Sequence, residues 1–442
     1  MNCLKINLLF SLLLVLLSSC KETETKKDKF IELPVSRNLT TGTFSNSLGG
    51  ESTYKSTKDT INNPWQNLYL DLKGVPKNWN WSKVGDINTN YNQSVYQGFY
   101  QGKVDINLKN EILANEDTTF LTKKNIKTSV GFVYGEDEHG NLKIILDQNN
   151  NLDFSDDEIL DLKSFKDFKD ITAFEDDKEN EAIQFQYERL LNGEIIPAKG
   201  KVYFCYNEAY NMLFSSFIEH GLASFKNQKI EVYGNNLSYS DTKIFLVNEE
   251  DNLQEKPSRE TLIQKDGYLI LNDQLYKNHG VNPNKDMLVL EKMEGDANQF
   301  KSAQIGFMHF PIEGNNFLTQ EPITTTNSTV DYTLLDFWAT WCGPCIQEMP
   351  YLDSLYQKTT RKEFEIIGLV GDSNEEDLIK SLNKLNITWP HLFLSENHPT
   401  LLDYAIKGYP TNYLIDANGK IVAKNLRGEQ LEEKIFKLLG EK

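Results

Sequence analysis

The sequence predicts a multidomain protein, a β-rich N-terminal region followed by a C-terminal α/β domain. Three observations lead to that expectation. The chain has 442 residues, more than a single hydrophobic core usually serves. Across residues 63–304, short aromatic and β-branched runs recur between Asn, Asp and Gly clusters, as antiparallel strands do. Beyond residue 305 the periodicity changes. The apolar run Tyr332–Trp338 hands over to Ile346, Met349, Leu352, Leu355 and Tyr356 at near-helical spacing, which reads as a buried strand followed by a helix. A composition of 39% hydrophobic and 25% charged residues fits an ordered body. The net charge of −18 argues against nucleic acid and against adsorption to anionic headgroups.

Residues 1–19 carry Lys5 and an apolar run from Leu8 to Leu17. That run is shorter than the ~20 residues a spanning helix needs, and it fits a secretory signal. Leu17–Cys20 (LSSC) resembles a bacterial lipobox, which implies cleavage before Cys20 and lipid on its sulfur. The alternative is ordinary signal cleavage beside an incidental cysteine. A lipid anchor implies a bacterial cell-envelope protein, periplasmic or surface-facing, held on a membrane by buried acyl chains. Residues 20–62 are polar and rich in Ser, Thr, Gly and Lys. They read as a flexible tether, whose roughly 40 residues would reach about 35 Å.

Residues 63–304 form one or two β domains, with strands expected in NLYLDLKG, TSVGFVYG, NLKIILD, AIQFQYERL, KGKVYFCYN, KIEVYG, TKIFLVN and DMLVLEK. Within them, Asp147–Glu158 (DQNNNLDFSDDE) sets Asp147, Asn149, Asn151 and Asp153 at alternate positions and Glu158 at the twelfth. Hard oxygen ligands so spaced can wrap a calcium ion. Against this, the sixth position is Leu152 rather than the glycine of a calcium loop, so a plain acidic hairpin loop is the competing reading. The six histidines are scattered without ligand or triad spacing. Of five cysteines, Cys3 leaves with the signal and Cys20 takes the lipid. Cys205, in VYFCYNEAY, reads as a buried apolar thiol, with a third redox cysteine as the minority alternative.

Cys342 and Cys345 remain, within Trp341–Cys345 (WCGPC). A zinc site would need a second ligand pair, and the sequence has no other CxxC and no HxxxH. The pair therefore reads as a disulfide that can open to a reactive dithiol. Placed where a strand meets a helix, the Cys342 sulfur faces unpaired N–H groups and the positive dipole end. In such motifs the thiol pKa falls from about 8.5 to about 7, roughly 2 kcal/mol in favour of thiolate. Pro344 stiffens the turn and Pro350 should kink the helix. Asp336 is costly on a buried strand unless it is used or satisfied.

From about Ile305 onward the chain resembles a thioredoxin fold, specifically the TlpA/ResA branch of membrane-tethered thiol–disulfide oxidoreductases. DFWATWCGPC (Asp336–Cys345), the Cys345, Glu348, Pro350 phrase, FEIIGLVGD (Phe364–Asp372), the helix Glu375–Asn386, ITWPHLF, GYPTNYLIDANGKIV (Gly408–Val422) and EQLEEKIFKLL (Glu429–Leu439) carry the resemblance. It implies a central mixed sheet flanked by helices, in a thioredoxin-like domain over 305–442. By the same resemblance Cys342 is the exposed attacking cysteine and Cys345 the buried resolving one. Asp336 or Glu348 moves the proton. Pro410 is the cis-proline, with Tyr409, Trp341, Gly343 and Pro344 beside the substrate.

The activity this implies is reduction of disulfides in extracytoplasmic proteins, with no cofactor beyond the cysteine pair and with electrons from a membrane donor of DsbD/CcdA type. The glycine–proline pair resembles reducing members, near the about −270 mV of thioredoxin. Two other readings compete. A peroxiredoxin-like peroxidase would want a peroxidatic cysteine flanked by Thr and Pro, which WCGPC does not supply. A ligand-binding lipoprotein would place its site in residues 63–304, with the redox domain as an accessory.

Overall fold

The computed structural model describes residues 29–54, 63–114, 116–166, 178–247, 259–326, 328–396 and 398–440. Cys20 and the whole of residues 1–19 lie outside them. Among the described residues no helix is long and apolar enough to cross a membrane.

The β-rich region contains two sandwiches. In the first, a four-stranded antiparallel sheet (Trp81–Asn88, Ser129–Glu136, Leu142–Leu146, Leu160–Asp161) faces a five-stranded sheet. The long strand Glu194–Asn207 pairs there with Ile183–Leu191 and Met212–Phe217. Their inner faces share one core, with Phe132, Tyr134 and Ile144 against Phe185, Val202 and Phe204. The alternation of residue types along each strand sends these side chains to the same face. In the second sandwich, strands His220–Phe225, Gln228–Tyr233 and Lys243–Val247 face a sheet built from Tyr268–Leu271, Gln274–Asn282 and Met287–Lys292. Ile230, Val232, Leu269, Leu288 and Leu290 fill the space between them.

Three expectations need correction here. Residues 30–38, placed in the flexible tether 20–62, are strands of the second sandwich. Phe30–Pro34 pairs antiparallel with Met287–Lys292, and Ser36–Asn38 pairs with His220–Phe225. The cause is a period of two, in which Leu33 and Val35 enter the core with Ile31 packed against it. The run NLYLDLKG is not a strand: it holds a short 3-10 turn, Gln66–Leu68, then irregular chain. Two helices also occur where only strands were expected, Tyr91–Tyr100 and Ile106–Leu113, capped by the Asn90 and Asp105 side chains.

Within the 147–158 loop, side-chain oxygens accept the loop's own backbone N–H groups. Asp147 accepts N–H groups from Asn151 (2.9 Å) and Leu152 (2.8 Å). Asn149 accepts from Asn151, Asn151 from Asp153, and Asp153 from Ser155. Glu158 is exposed. Among the described residues no group of three or more His, Cys, Asp or Glu side chains is arranged to hold a metal ion. Leu152 adopts a φ of 71° at the position that a calcium loop gives to glycine.

Cys205 is fully buried beside Phe165, Tyr203 and Ile218, and burial pushes its thiol up to about 12. In the native full chain it should therefore resist N-ethylmaleimide at pH 8 for hours and react at once in urea. Rapid native labelling of Cys205, read by peptide mass spectrometry, would contradict its burial.

The C-terminal domain is a five-stranded mixed sheet. Its elements are β1 (Tyr332–Trp338), α1 (Gly343–Lys358), β2 (Phe364–Val370), α2 (Glu375–Leu385), β3 (His391–Phe393), α3 (Pro399–Asp403), β4 (Thr411–Asp416), β5 (Ile421–Lys424) and α4 (Gly428–Gly440). The strand order is β3-β2-β1-β4-β5, with β1, β2 and β3 parallel and β4 and β5 antiparallel. Leucines and isoleucines of α1, α2 and α4 pack in one cluster with Leu334, Trp338, Phe364 and Ile366. Leu335, Phe337, Ile367 and Leu369 face the other way, onto Ile312, Tyr404 and Ile421. Alternation along β1 therefore puts Asp336 on the face of Leu334 and Trp338, the face that α1 covers.

Candidate active site

The end of β1 delivers Cys342 to the N-cap of α1. Its Sγ accepts the Cys345 N–H at 3.2 Å, and Pro344 occupies the first turn, where a missing donor costs nothing. The two cysteines form a disulfide with Cα atoms 5.2 Å apart. The helix start thus supplies the donor and dipole that the sequence predicts around Cys342. Its exposure differs from expectation. Cys342 is only 3% exposed and Cys345 1%, both packed in the cluster with Trp338 and Met349.

Trp341 is 66% exposed. Its Nε1–H donates to the Asp372 carbonyl at 2.8 Å, and its ring meets Tyr409 edge-on at 6.0 Å. Gly343 and Pro344 are exposed next to it. The Tyr409–Pro410 peptide is cis, as expected. Gly371 leaves room for the Tyr409 ring, since a Cβ there would sit 2.1 Å from its hydroxyl. Trp341 and Tyr409, with the exposed helix start, therefore border the disulfide on the solvent side.

The two candidate carboxylates differ in kind. Asp336 is buried, and burial pushes its carboxyl up to about 7, opposed by the Arg427 charge and assisted by Glu348. A group so poised can exchange a proton near neutrality. Glu348 is partly buried, and its Oε1 accepts the Gly428 N–H at 2.7 Å. It thereby caps α4 from α1, a position that suits an anion.

Arg427 was not legible in the sequence. It sits in the turn before α4, and its Nη2 donates to the Pro410 carbonyl while its buried Nη1 lacks a hydrogen-bond partner. The guanidinium thus holds the cis-proline turn, and its charge opposes the upward shift of Asp336. The only local hint is a lone arginine directly before the helix-opening Gly428. Arg427→Met should raise the pH midpoint of dithiol turnover by about 1 unit, since it removes an opposite charge near Asp336. Arg427→Lys should restore part of the shift, and identical pH profiles for all three proteins would contradict the assignment.

Residues 313–439 match the family model described as Redoxin. The chain is 36% identical over 101 residues to the thiol-disulfide oxidoreductase ResA of Bacillus thuringiensis (strain Al Hakam), covering 23% of this chain and 57% of that protein. It is 37% identical over 101 residues to ResA of Bacillus cereus (strain ZK / E33L), with the same coverage. The chain thus spans little more than half the length of these relatives. Among solved structures, the thioredoxin domain of a thiol-disulfide oxidoreductase from Bacteroides vulgatus is 33% identical. The match covers 30% of this chain and 96% of that one at a TM-score of 0.29.

Proposed function

We propose, from the premise that residues 313–439 are a redoxin domain related to the ResA thiol-disulfide oxidoreductases, that this chain reduces disulfides in proteins outside the cytoplasm. The observation that carries this reading is the Cys342–Cys345 disulfide at the start of α1, together with a buried acid poised near neutrality on the face of β1 that α1 covers.

In the reduced protein, the Cys342 thiolate attacks one sulfur of a substrate disulfide. A Cys342–substrate disulfide forms and the other substrate sulfur leaves as a thiolate. Asp336 takes the Cys345 proton, and the Cys345 thiolate attacks Cys342 Sγ, releasing the second substrate sulfur. Two electrons pass to the substrate and the protein is left as the disulfide. The field at the helix start favours the first thiolate. Trp341, Gly343 and Pro344 border the approach, and the Tyr409 backbone before Pro410 offers an edge for a substrate strand.

Return to the dithiol takes a dithiol donor in the membrane, of DsbD/CcdA type. The lipid on Cys20 would keep the enzyme in the bacterial cell envelope beside that donor. Cys345→Ser purified from the envelope fraction tests the reading. It should carry substrate proteins on Cys342 that dithiothreitol releases and mass spectrometry identifies. A Cys345→Ser protein free of such adducts, while its Cys342 stays reactive, would sink the proposal.

A further inference from the structure

A cleft of about 1010 Å³ opens in the first sandwich, between the helix Tyr91–Tyr100, the strand Trp81–Asn88 and the chain around Glu51 and Tyr69. None of its lining residues belongs to the C-terminal domain. Two carboxylates, Glu51 and Asp86, face this space. Each is held by its neighbours. The Ser215 hydroxyl donates to Glu51 Oε1. The Tyr54 hydroxyl donates to Asp86 Oδ1 at 2.7 Å while accepting the Leu70 N–H at 3.0 Å.

Among the described residues, neither acid is paired with a lysine or arginine. Burial pushes Glu51 up to about 7, with the Asp86 charge adding to it, and burial also raises Asp86. Two acids withdrawn from bulk water without a counter-charge are costly to the fold. An arriving positive charge would remove that cost. Lysines at the cleft do not supply it: Lys103 is exposed, and the Lys127 Nζ donates to the Asn150 carbonyl at 3.1 Å. Asp71, the remaining acid on the lining, is exposed.

Aromatic faces complete the wall. The Tyr54 and Tyr69 rings stack at 4.1 Å with an interplanar angle of 12°, and Trp65 leans on Tyr91 at 5.6 Å. Such faces attract cations through the ring quadrupole and accept an apolar stem. A recessed space with convergent acids and aromatic walls is the usual form of a small-molecule site.

We infer that this cleft binds an organic cation, an ammonium or guanidinium group on a short apolar stem, with its charge between Glu51 and Asp86 and its stem along the Tyr54–Tyr69 stack. The same chemistry is found in a free polyamine and in a basic side chain of a short peptide, and the cleft has room for either. The inference stands apart from the redox reading, since no residue of the disulfide site takes part.

Calorimetric titration of the full chain tests it, with spermidine as one probe and the blocked tripeptide Ala-Arg-Ala as the other. At pH 8 at least one probe should bind. Spermidine alone would mark a free amine as the source, and the tripeptide alone a polypeptide. Glu51→Gln and Asp86→Asn should each weaken binding at least tenfold and leave disulfide reduction unchanged. Binding should also weaken at pH 5.5, where the Glu51 carboxyl is protonated and no longer attracts the cation.

Should either variant fail to fold, the wild-type protein still decides the question. Binding at pH 7 should release protons, seen as a dependence of the binding enthalpy on the buffer's ionisation enthalpy. The inference is overturned if neither probe binds at millimolar concentration. It is equally overturned if folded variants bind as the wild type does, if no protons are released, or if methyl glucoside binds where both cations fail.

Discussion

Cys342→Ser should lose disulfide reduction by at least about a thousandfold, because the attacking atom itself is removed. The substitution is nearly isosteric, so the domain should remain folded and the loss should fall on turnover. The reduced wild type supplies the complementary measurement. Iodoacetamide should alkylate Cys342 with a pH midpoint near about 7, against about 8.5 for an unperturbed thiol. That difference corresponds to roughly 2 kcal/mol of preferential thiolate stabilisation. Its physical source is the start of α1, where the Cys342 sulfur already accepts the Cys345 N–H at 3.2 Å. Cys345 should alkylate more slowly, since it lies within the first turn of α1, whereas the Cys342 sulfur sits at the N-cap and takes the helix-start N–H. A Cys342 that reacts no faster than a peptide thiol at pH 7, or a Cys342→Ser protein that still turns over, would remove the basis of the proposed mechanism.

Asp336→Asn should make the folded protein more stable at alkaline pH while slowing release of the mixed disulfide. The carboxyl is held up at about 7 in the fold, from an ordinary value of 3.8. The folded state therefore binds its proton more tightly than the unfolded chain does. That contribution to stability is complete below about pH 4 and is lost as pH rises through about 7. The full difference is about 4 kcal/mol, and between pH 5 and 8 the wild type should lose roughly 3 kcal/mol relative to Asp336→Asn. Urea unfolding of the oxidised full chain at several pH values measures this directly. Equal pH slopes for the two proteins would show that Asp336 is not held protonated near neutrality. Slower release follows from the second role, since asparagine cannot take the Cys345 proton. Mixed disulfides should then persist longer at pH 7 and escape more readily at pH 9, where the thiol ionises unaided.

The elements that could be read in advance are those whose signal is local. Tyr332–Trp338 is a strand with the bounds expected, and the helix after Cys345 runs from Gly343 to Lys358. Asn386 ends α2 in the left-handed conformation, with a φ of 53°, where the expected helix also ended. Seven of the eight strand segments expected between residues 63 and 304 are strands, because each is a short run rich in aromatic and β-branched residues, whether burial alternates, as in Ile183–Leu191, or is continuous, as in Ser129–Glu136. The exception, NLYLDLKG, is as apolar as they are, yet Tyr69 stacks on Tyr54 and the Leu70 N–H goes to the Tyr54 hydroxyl instead of to a neighbouring strand. Phe30–Pro34 was missed for the opposite reason. Its alternation is short and set in polar chain, and it becomes a strand only because Met287–Lys292 offers it an edge.

For this protein, sequence alone determined the location of the cysteine pair, the strand and helix that flank it, and the family likeness of the last third. Each depends on residues a few positions apart, which chain geometry ties together in any environment. Tertiary structure alone decided the states of the acids. Asp336 is raised by burial and opposed by Arg427, which arrives from a distant turn. Glu348 is occupied by the Gly428 N–H, and Glu51 and Asp86 line one cleft of the first sandwich, where the Asp86 charge helps to raise Glu51. Desolvation and Coulomb forces act through space, so they are set only once the chain has closed around these groups.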